Sequence, residues 1–430
     1  MLSNISLYAV MRRILNELNE QVVDHGERVA YLYLKMAQYR ALPDDRQLEE
    51  RMLACFAHDI GAYKTEKFLD LLRFDVTNTL EHCIYGYLFM KYFSPLQEAA
   101  EVLLYHHTLY ADRALYDSPY LADGMLIHFL DRVDILHIKY EDTRDILRLL
   151  HEGAGRNFAP RDAEDFEKAE ERYHLIAHLR DGSYREEVRR YFDRPEHERL
   201  LRPIIFMLAY EVDFRSEQTV VHTITVTLLA WQLGRELGLS REEQDALTLA
   251  AAMHDLGKIS VPTEILEKPA RLTPEEYEIM KTHVVHSERI IRDLFPEEIV
   301  RIAVRHHERS DGSGYPHGLA AAELTRSERI MQVADVASAL MQRRSYKQAM
   351  ERDEVLSILQ KEADAGRLDG AIVAILAERY DYIVSHVRAH AAETIRLYEG
   401  LQDEYQRYLV RYAGDGHTPL DGFELIAAVE

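Results

Sequence analysis

Cysteine is almost absent: Cys55 and Cys83 are the two in 430 residues. That excludes the disulfide framework of a small secreted domain and fits a reducing compartment. Long apolar runs are missing as well. No stretch of about 18 consecutive apolar residues occurs, which excludes a membrane-crossing helix. The opening MLSNISLYAVMRRILNEL lacks the layout of a secretory signal, so a cytoplasmic protein with no membrane association is expected. Basic residues are in short supply: 52 Lys and Arg face 74 Asp and Glu, a net charge of −22. A DNA or RNA duplex needs clustered cations along its phosphates, so no such partner is expected. A small phosphate-bearing substrate is still permitted, because bound divalent ions reverse the sign locally.

Proline is scarce too, and the prolines fall at joints between periodic stretches. The stretches themselves read as helix. Ile5, Val10, Ile14, Leu18 and Val22 recur near helical spacing within residues 5–40. Ser240-Arg241-Glu242-Glu243 reads as a capping box opening a helix towards His254. Thr273-Pro274-Glu275-Glu276 repeats the device with Pro at the first helical position. With 47% hydrophobic and 29% charged residues the chain is an ordinary globular one, long enough for two domains. The expected fold class is all-α.

The chemistry concentrates between His254 and Tyr346. Paired His254-Asp255 is followed by a lone His283, then paired His306-His307, then Asp335 in QVADVASAL. Imidazole with carboxylate suits a divalent transition metal, and the number of candidate ligands suits two. Unrelated polar residues have no reason to fall in this order.

HDLGKISVP, HHERSDGSGYPHGL and RRSYKQAM together resemble the HD phosphohydrolase superfamily, in particular its HD-GYP branch, over roughly residues 215–380. The resemblance implies a metal-dependent phosphodiesterase acting on a cyclic dinucleotide, typically cyclic di-GMP. It implies two divalent transition metals, iron or manganese, held by His222, His254, Asp255, His283, His306, His307 and Asp335. Asp255 would be the catalytic bridge between them, and Lys258 would stabilise charge developing on the phosphoryl group. Arg344 and Lys347 match positions where the family holds the second phosphate. Asp311 would orient the loop and Gly314 would allow close approach. Tyr315 would stack on a base, bond a phosphate or anchor the loop. The family pattern is not complete: Gln218 stands where some relatives carry a Glu tied to a third metal, Ser338 replaces an acidic residue, and Ser345 replaces a Pro. Two readings stay beside the leading one, a phosphohydrolase of another nucleotide and a receptor that binds a nucleotide without turnover.

The ligand pattern occurs twice, about 200 residues apart. His25, His58, Asp59, His82, His106, His107 and Asp131 precede the set above in the same order, and so form a possible second metal site. In this copy Ala62 replaces Lys258 and no Gly-Tyr-Pro loop follows the paired histidines. It could be a second phosphohydrolase, a nucleotide sensor or a site kept for stability. The expected division is an N-terminal HD domain over 1–140, a helical linker over 141–202, an HD-GYP domain over 203–385, and a helix and tail over 386–430. The charged linker could also serve a homodimer. His386 and His390, four apart on the last helix, read as packing or surface residues for want of a third ligand.

Overall fold

The computed structural model describes residues 5–18, 23–62, 79–214, 220–341 and 350–414. Among them every long element is a helix, and strand-like pairing is limited to isolated bridges of Ala154 with Phe158 and Asp311 with Ala320. The all-α expectation holds. In chain order come α1 (Leu7–Leu18), α2 (His25–Tyr39), α3 (Arg46–Phe56), α4 (Thr79–Phe93) and α5 (Leu121–Lys139). The helices Thr143–Glu152, Pro160–Tyr173, Leu175–Asp181 and Tyr184–Phe192 are α6 to α9. The later half holds α10 (Leu201–Phe214), α11 (Val220–Glu236), α12 (Arg241–Met253), α13 (Pro274–Ile291), α14 (Glu297–Val304) and α15 (Arg326–Met341). It closes with α16 (Arg352–Asp364), α17 (Gly370–Glu378) and α18 (Tyr380–Gly414). No described helix is long and apolar enough to cross a membrane.

The chain divides into two compact units, neither contiguous: Met1–Leu18 groups with Leu201–Tyr398, and Asn19–Leu200 groups with Glu399–Glu430. In the C-terminal unit α11 packs on α12 and α15, and α13 packs on the tight turn Leu256–Ser260. Its core is the buried faces of these helices, including Leu229, Leu247, Ile290, Ile302 and Val333. Each such side chain, fully withdrawn from water, contributes roughly 1.5–3 kcal/mol. Leu7, Val10, Met11 and Ile14 bury one face of α1 against α10 and α13 of the same unit.

The N-terminal unit is built around α2, where Val29, Ala30, Tyr31, Leu32 and Met36 have no exposed surface and α3, α5, α7 and α9 pack around them. The segment from α6 to α9 thus belongs to this unit. Phe166, Leu175, Ile176, Val188 and Phe192 are buried in it, which a free connector would not require. In the same unit Glu404 of α18 accepts from Tyr92 Oη at 2.6 Å and pairs with Lys91 at 3.3 Å.

Helix starts are set by local chemistry. Both expected capping boxes, Ser240 with Glu243 and Thr273 with Glu276, are formed. Asp45 caps α3 by accepting from Gln47 N and Leu48 N. Thr325 and Glu328 make the same reciprocal pair at α15, with buried Glu328 also 3.2 Å from Arg305.

One glycine in each unit decides how closely the ligand-bearing elements approach. A Cβ on Gly257 would lie 1.9 Å from His283 O and 2.4 Å from Ser287 N. Gly257 N donates to Ser287 Oγ, which donates to His254 O, each at 2.8 Å. Gly61 meets His82 O at 2.1 Å and Gly86 N at 2.5 Å in the same manner. Gly257→Ala must therefore push α13 away from the turn. We expect roughly 1–3 kcal/mol of destabilisation, the usual range for overpacking, with loss of bound metal. Denaturant unfolding and metal analysis of the purified variant check this.

Candidate metal centre

Three histidines of the C-terminal unit hold their rings in one way. The Nδ1 of His254 lies 2.7 Å from Ala251 O, that of His283 2.6 Å from Met280 O, and that of His306 2.6 Å from Ala303 O. Each acceptor is the carbonyl three residues earlier in the chain. A carbonyl only accepts, so Nδ1 carries a proton and Nε2 is the nitrogen turned inward, as in a metal-binding imidazole.

The inward nitrogens surround Asp255. Its Oδ2 is 3.6 Å from His222 Nε2 and 3.0 Å from His254 Nε2, and its Oδ1 is 3.4 Å from His283 Nε2 and 3.9 Å from His306 Nε2. One carboxylate thus addresses two nitrogen clusters with separate oxygens. Asp335 lies 3.2 Å from His222 Nε2 and 3.7 Å from His307 Nδ1. Ligand atoms of His222, His254 and Asp255 lie within 4.8 Å of one another, as do those of His283, His306 and His307. His254 Nε2 and Asp255 Oδ1 are buried without a hydrogen bond of acceptable geometry, a cost of about 1–3 kcal/mol each. A cation at each cluster removes that cost, so the residues fit two divalent ions.

Burial and neighbouring charge set the protonation states. Burial, aided by Lys258, holds His283 at about 4, and burial with the neighbouring His254 holds His306 at about 3. Both are neutral ligands at physiological pH. Burial alone would raise the Asp255 carboxyl, yet His254 and Lys258 hold it well below the usual carboxylate range. Burial would lower His254, but Asp255 wins and raises it. Lys258, also desolvated, is raised by Asp255, which its ammonium contacts directly.

The N-terminal unit repeats the plan. His58 Nδ1 meets Cys55 O at 2.8 Å and His106 Nδ1 meets Leu103 O at 2.5 Å. Asp59 Oδ2 faces His25 at 3.7 Å and His58 at 3.5 Å, while Oδ1 faces His82 at 3.8 Å and His106 at 3.7 Å. Asp131 lies 3.3 Å from His25 Nε2. His107 groups with His82 and His106. Ala62, fully buried, stands where the other unit has Lys258, and Lys64 lies outside the described residues.

Similarity to known proteins follows the same outline. Residues 200–372 match the HD domain family. The 3'3'-cGAMP-specific phosphodiesterase 1 of Vibrio cholerae is 30% identical over 388 residues, 85% of this chain and 89% of that protein. The chain belongs to the HD-GYP family. A cyclic di-GMP phosphodiesterase of Thermotoga maritima is 41% identical over 155 residues, which cover 35% of this chain and 42% of that protein. The solved structure of a cyclic GMP-AMP specific phosphodiesterase of Vibrio cholerae superposes with a TM-score of 0.53 over 88% of this chain and 97% of that one. At 19% identity this likeness speaks for the fold alone.

The HD-GYP loop leans on the centre. Tyr315 donates its backbone N–H to His307 O at 3.2 Å and lays its ring 4.7 Å from the His307 ring. Burial and nearby Tyr277 hold its phenol well above the ordinary value, so it is a neutral donor. Exposed Asp311 accepts from Ser313 N at 2.9 Å and Ser313 Oγ at 2.6 Å, which folds the loop's first turn. Gly314 has no room for a Cβ, which would lie 2.4 Å from Arg309 N. Arg344, Lys347, Gln218 and Ser345 lie outside the described residues. His386 and His390 sit away from the HD-GYP ligands, each with Nδ1 on the carbonyl four residues earlier.

The residue that reading the sequence missed is Glu308. It is fully buried, and its carboxylate accepts from His317 N at 2.7 Å and Leu319 N at 2.9 Å. The signal was present, a Glu directly after the paired histidines, but its hydrogen bonds reach nine and eleven residues on. Ser287, joining Gly257 to His254, was missed for the same reason.

Two outcomes follow. Because Asp255 raises His254, metal uptake near neutral pH expels a proton and weakens as pH falls. Calorimetric titration with manganese in buffers of different ionisation enthalpy reads that release directly. Glu308→Ala frees two backbone donors, each bond to a charged acceptor being worth about 1.5–3 kcal/mol. Amide exchange at His317 and Leu319 is expected to quicken at least about 10-fold while the helices keep their protection.

Proposed function

We propose that the chain hydrolyses a cyclic dinucleotide of the cyclic di-GMP or 3'3'-cGAMP type to the linear dinucleotide, at the centre around Asp255. The observation that carries this reading is Asp255 itself, one buried carboxylate turning an oxygen to each of two imidazole clusters, with the Lys258 ammonium against it. The activities named for the relatives from Vibrio cholerae and Thermotoga maritima give the substrate class. His222, His254, Asp255 and Asp335 would hold one divalent ion, and His283, His306 and His307 with Asp255 would hold the other. Iron and manganese both suit this nitrogen and oxygen set. When bound, such ions lower the pKa of water and neutralise phosphoryl charge.

The chain's own side chains do the rest. Water's oxygen bonds to phosphorus as the bond from phosphorus to the ribose oxygen breaks, and the proton that the water gives up ends on the departing oxygen. Lys258, kept charged by Asp255, faces the negative charge that builds on the phosphoryl oxygens. Tyr315, neutral and packed on His307, donates to a phosphate or stacks on a base at the mouth. Arg344 and Lys347 supply cations for the second phosphate. A cytoplasmic location follows from a substrate of this kind.

The N-terminal unit is a second HD domain that retains its ligands. Ala62 stands in the place of Lys258, and no Gly-Tyr-Pro sequence follows its paired histidines, so it is read as accessory to this reaction. The test is product analysis of cyclic di-GMP and 3'3'-cGAMP with manganese- or ferrous-loaded protein. Wild type and Asp59→Ala are expected to yield linear product. Asp255→Ala should yield none, and Lys258→Ala should be slower by about 10²–10³-fold, the usual cost of a charge-stabilising group. Loss in Asp59→Ala alone would reverse the roles of the units, and no turnover of either nucleotide by wild type would reject the substrate class.

A further inference from the structure

The two centres differ in what stands beside the lone histidine. In the C-terminal unit His283 is followed by buried Val284; in the N-terminal unit His82 is followed by buried Cys83. The ligand atoms of His82, Cys83, His106 and His107 all lie within 4.8 Å of one another, and all four residues are buried. Cys83 Sγ is 3.8 Å from His82 Nε2, and His82 Nε2 is 3.2 Å from His106 Nε2. Around a tetrahedral ion, with about 2.3 Å to sulfur and about 2.0–2.1 Å to nitrogen, those separations would be about 3.6 Å and 3.4 Å. His107 Nε2 is buried and has no hydrogen-bond partner, so a fourth donor in the group is unclaimed. A second difference lies beside it. His128, three residues before Asp131, is buried with both ring nitrogens unpartnered and groups with His107 and Asp131, whereas the C-terminal unit has Gln332 at that register.

We propose that the N-terminal unit holds a metal ion in a closed site in which the Cys83 thiolate joins His82, His106 and His107. Thiolate with imidazole selects zinc, iron or cobalt over manganese and magnesium, while the nitrogen and oxygen set around Asp255 accepts manganese. One chain thus carries two sites of different metal preference. The contrast in access agrees: the His307 side chain is 25% exposed, whereas its counterpart His107 is buried. Closed four-ligand sites hold structure or answer to oxidants, and open ones bind water and substrate.

The probe is cobalt(II) titrated into the metal-free full-length protein under reducing conditions. A thiolate-to-cobalt charge-transfer band is expected in wild type, in Cys55→Ala and in Asp255→Ala, and is expected to vanish in Cys83→Val. Valine is the residue the other unit carries at this place. Zinc should abolish the band at equimolar addition and manganese should leave it. Cobalt bound without the band in wild type, or a band persisting in Cys83→Val, overturns the proposal. Should Cys83→Val fail to fold, zinc X-ray absorption of the wild-type chain decides the matter. A sulfur shell supports the site, and a spectrum fitted by nitrogen and oxygen alone rejects it.

Discussion

The centre depends on a short hydrogen bond from an imidazole Nδ1 to a backbone carbonyl three residues behind it. For four of the five rings that carbonyl lies near a helix end, where no further turn claims it, whereas Met280 O lies inside α13. It fixes the tautomer, the ring plane and the direction of Nε2 together. His254, His283 and His306 all have it, and so do His58 and His106. The segments that carry these rings must therefore come within a few ångströms of one carboxylate in each unit. Gly257 and Gly61 permit that approach, since a single extra carbon at either would collide with the chain carrying the next histidine.

Much of this was legible in the sequence because it is written in residue types at fixed order. The all-α class followed from helical periodicity and from capping boxes such as Ser240 with Glu243, each formed as expected. The gathering of His222, His254, Asp255, His283, His306, His307 and Asp335 followed from their order, repeated about 200 residues earlier. What stayed hidden depends on distance in space. Glu308 looks like any charged residue until its carboxylate is found under two amides of the loop. The charged stretch 141–202 reads as a helical linker, and its apolar Phe166, Val188 and Phe192 are buried within the N-terminal unit. Periodicity reveals a stripe and is silent on what covers it.

The two centres share one arrangement of side chains. Both keep a carboxylate between two imidazole clusters. They differ in the groups around it. The C-terminal centre has Lys258, Ser338 beside His222 and a loop packed on His307. The N-terminal centre has Ala62, an Asp134 carboxylate 2.7 Å from His25 Nδ1, and Arg132 bonded to Asp131. A carboxylate behind an imidazole makes it a stronger electron donor than a hydroxyl does, and an arginine on Asp131 does the opposite to that ligand. The two centres are thus tuned through different partners.

The discontinuous make-up of the units bears on how the chain acquires its fold during synthesis. α1 precedes in the chain the helices it packs against, which begin at Leu201, so its apolar face stays uncovered until they are made. The N-terminal unit must in turn wait for Glu404 on α18 before Lys91 and Tyr92 find their partner. Loop closure over such separations is slow compared with forming a local helix. Neither unit can be completed from an unbroken length of chain, so a single cut between residues 200 and 201 does not yield two intact halves.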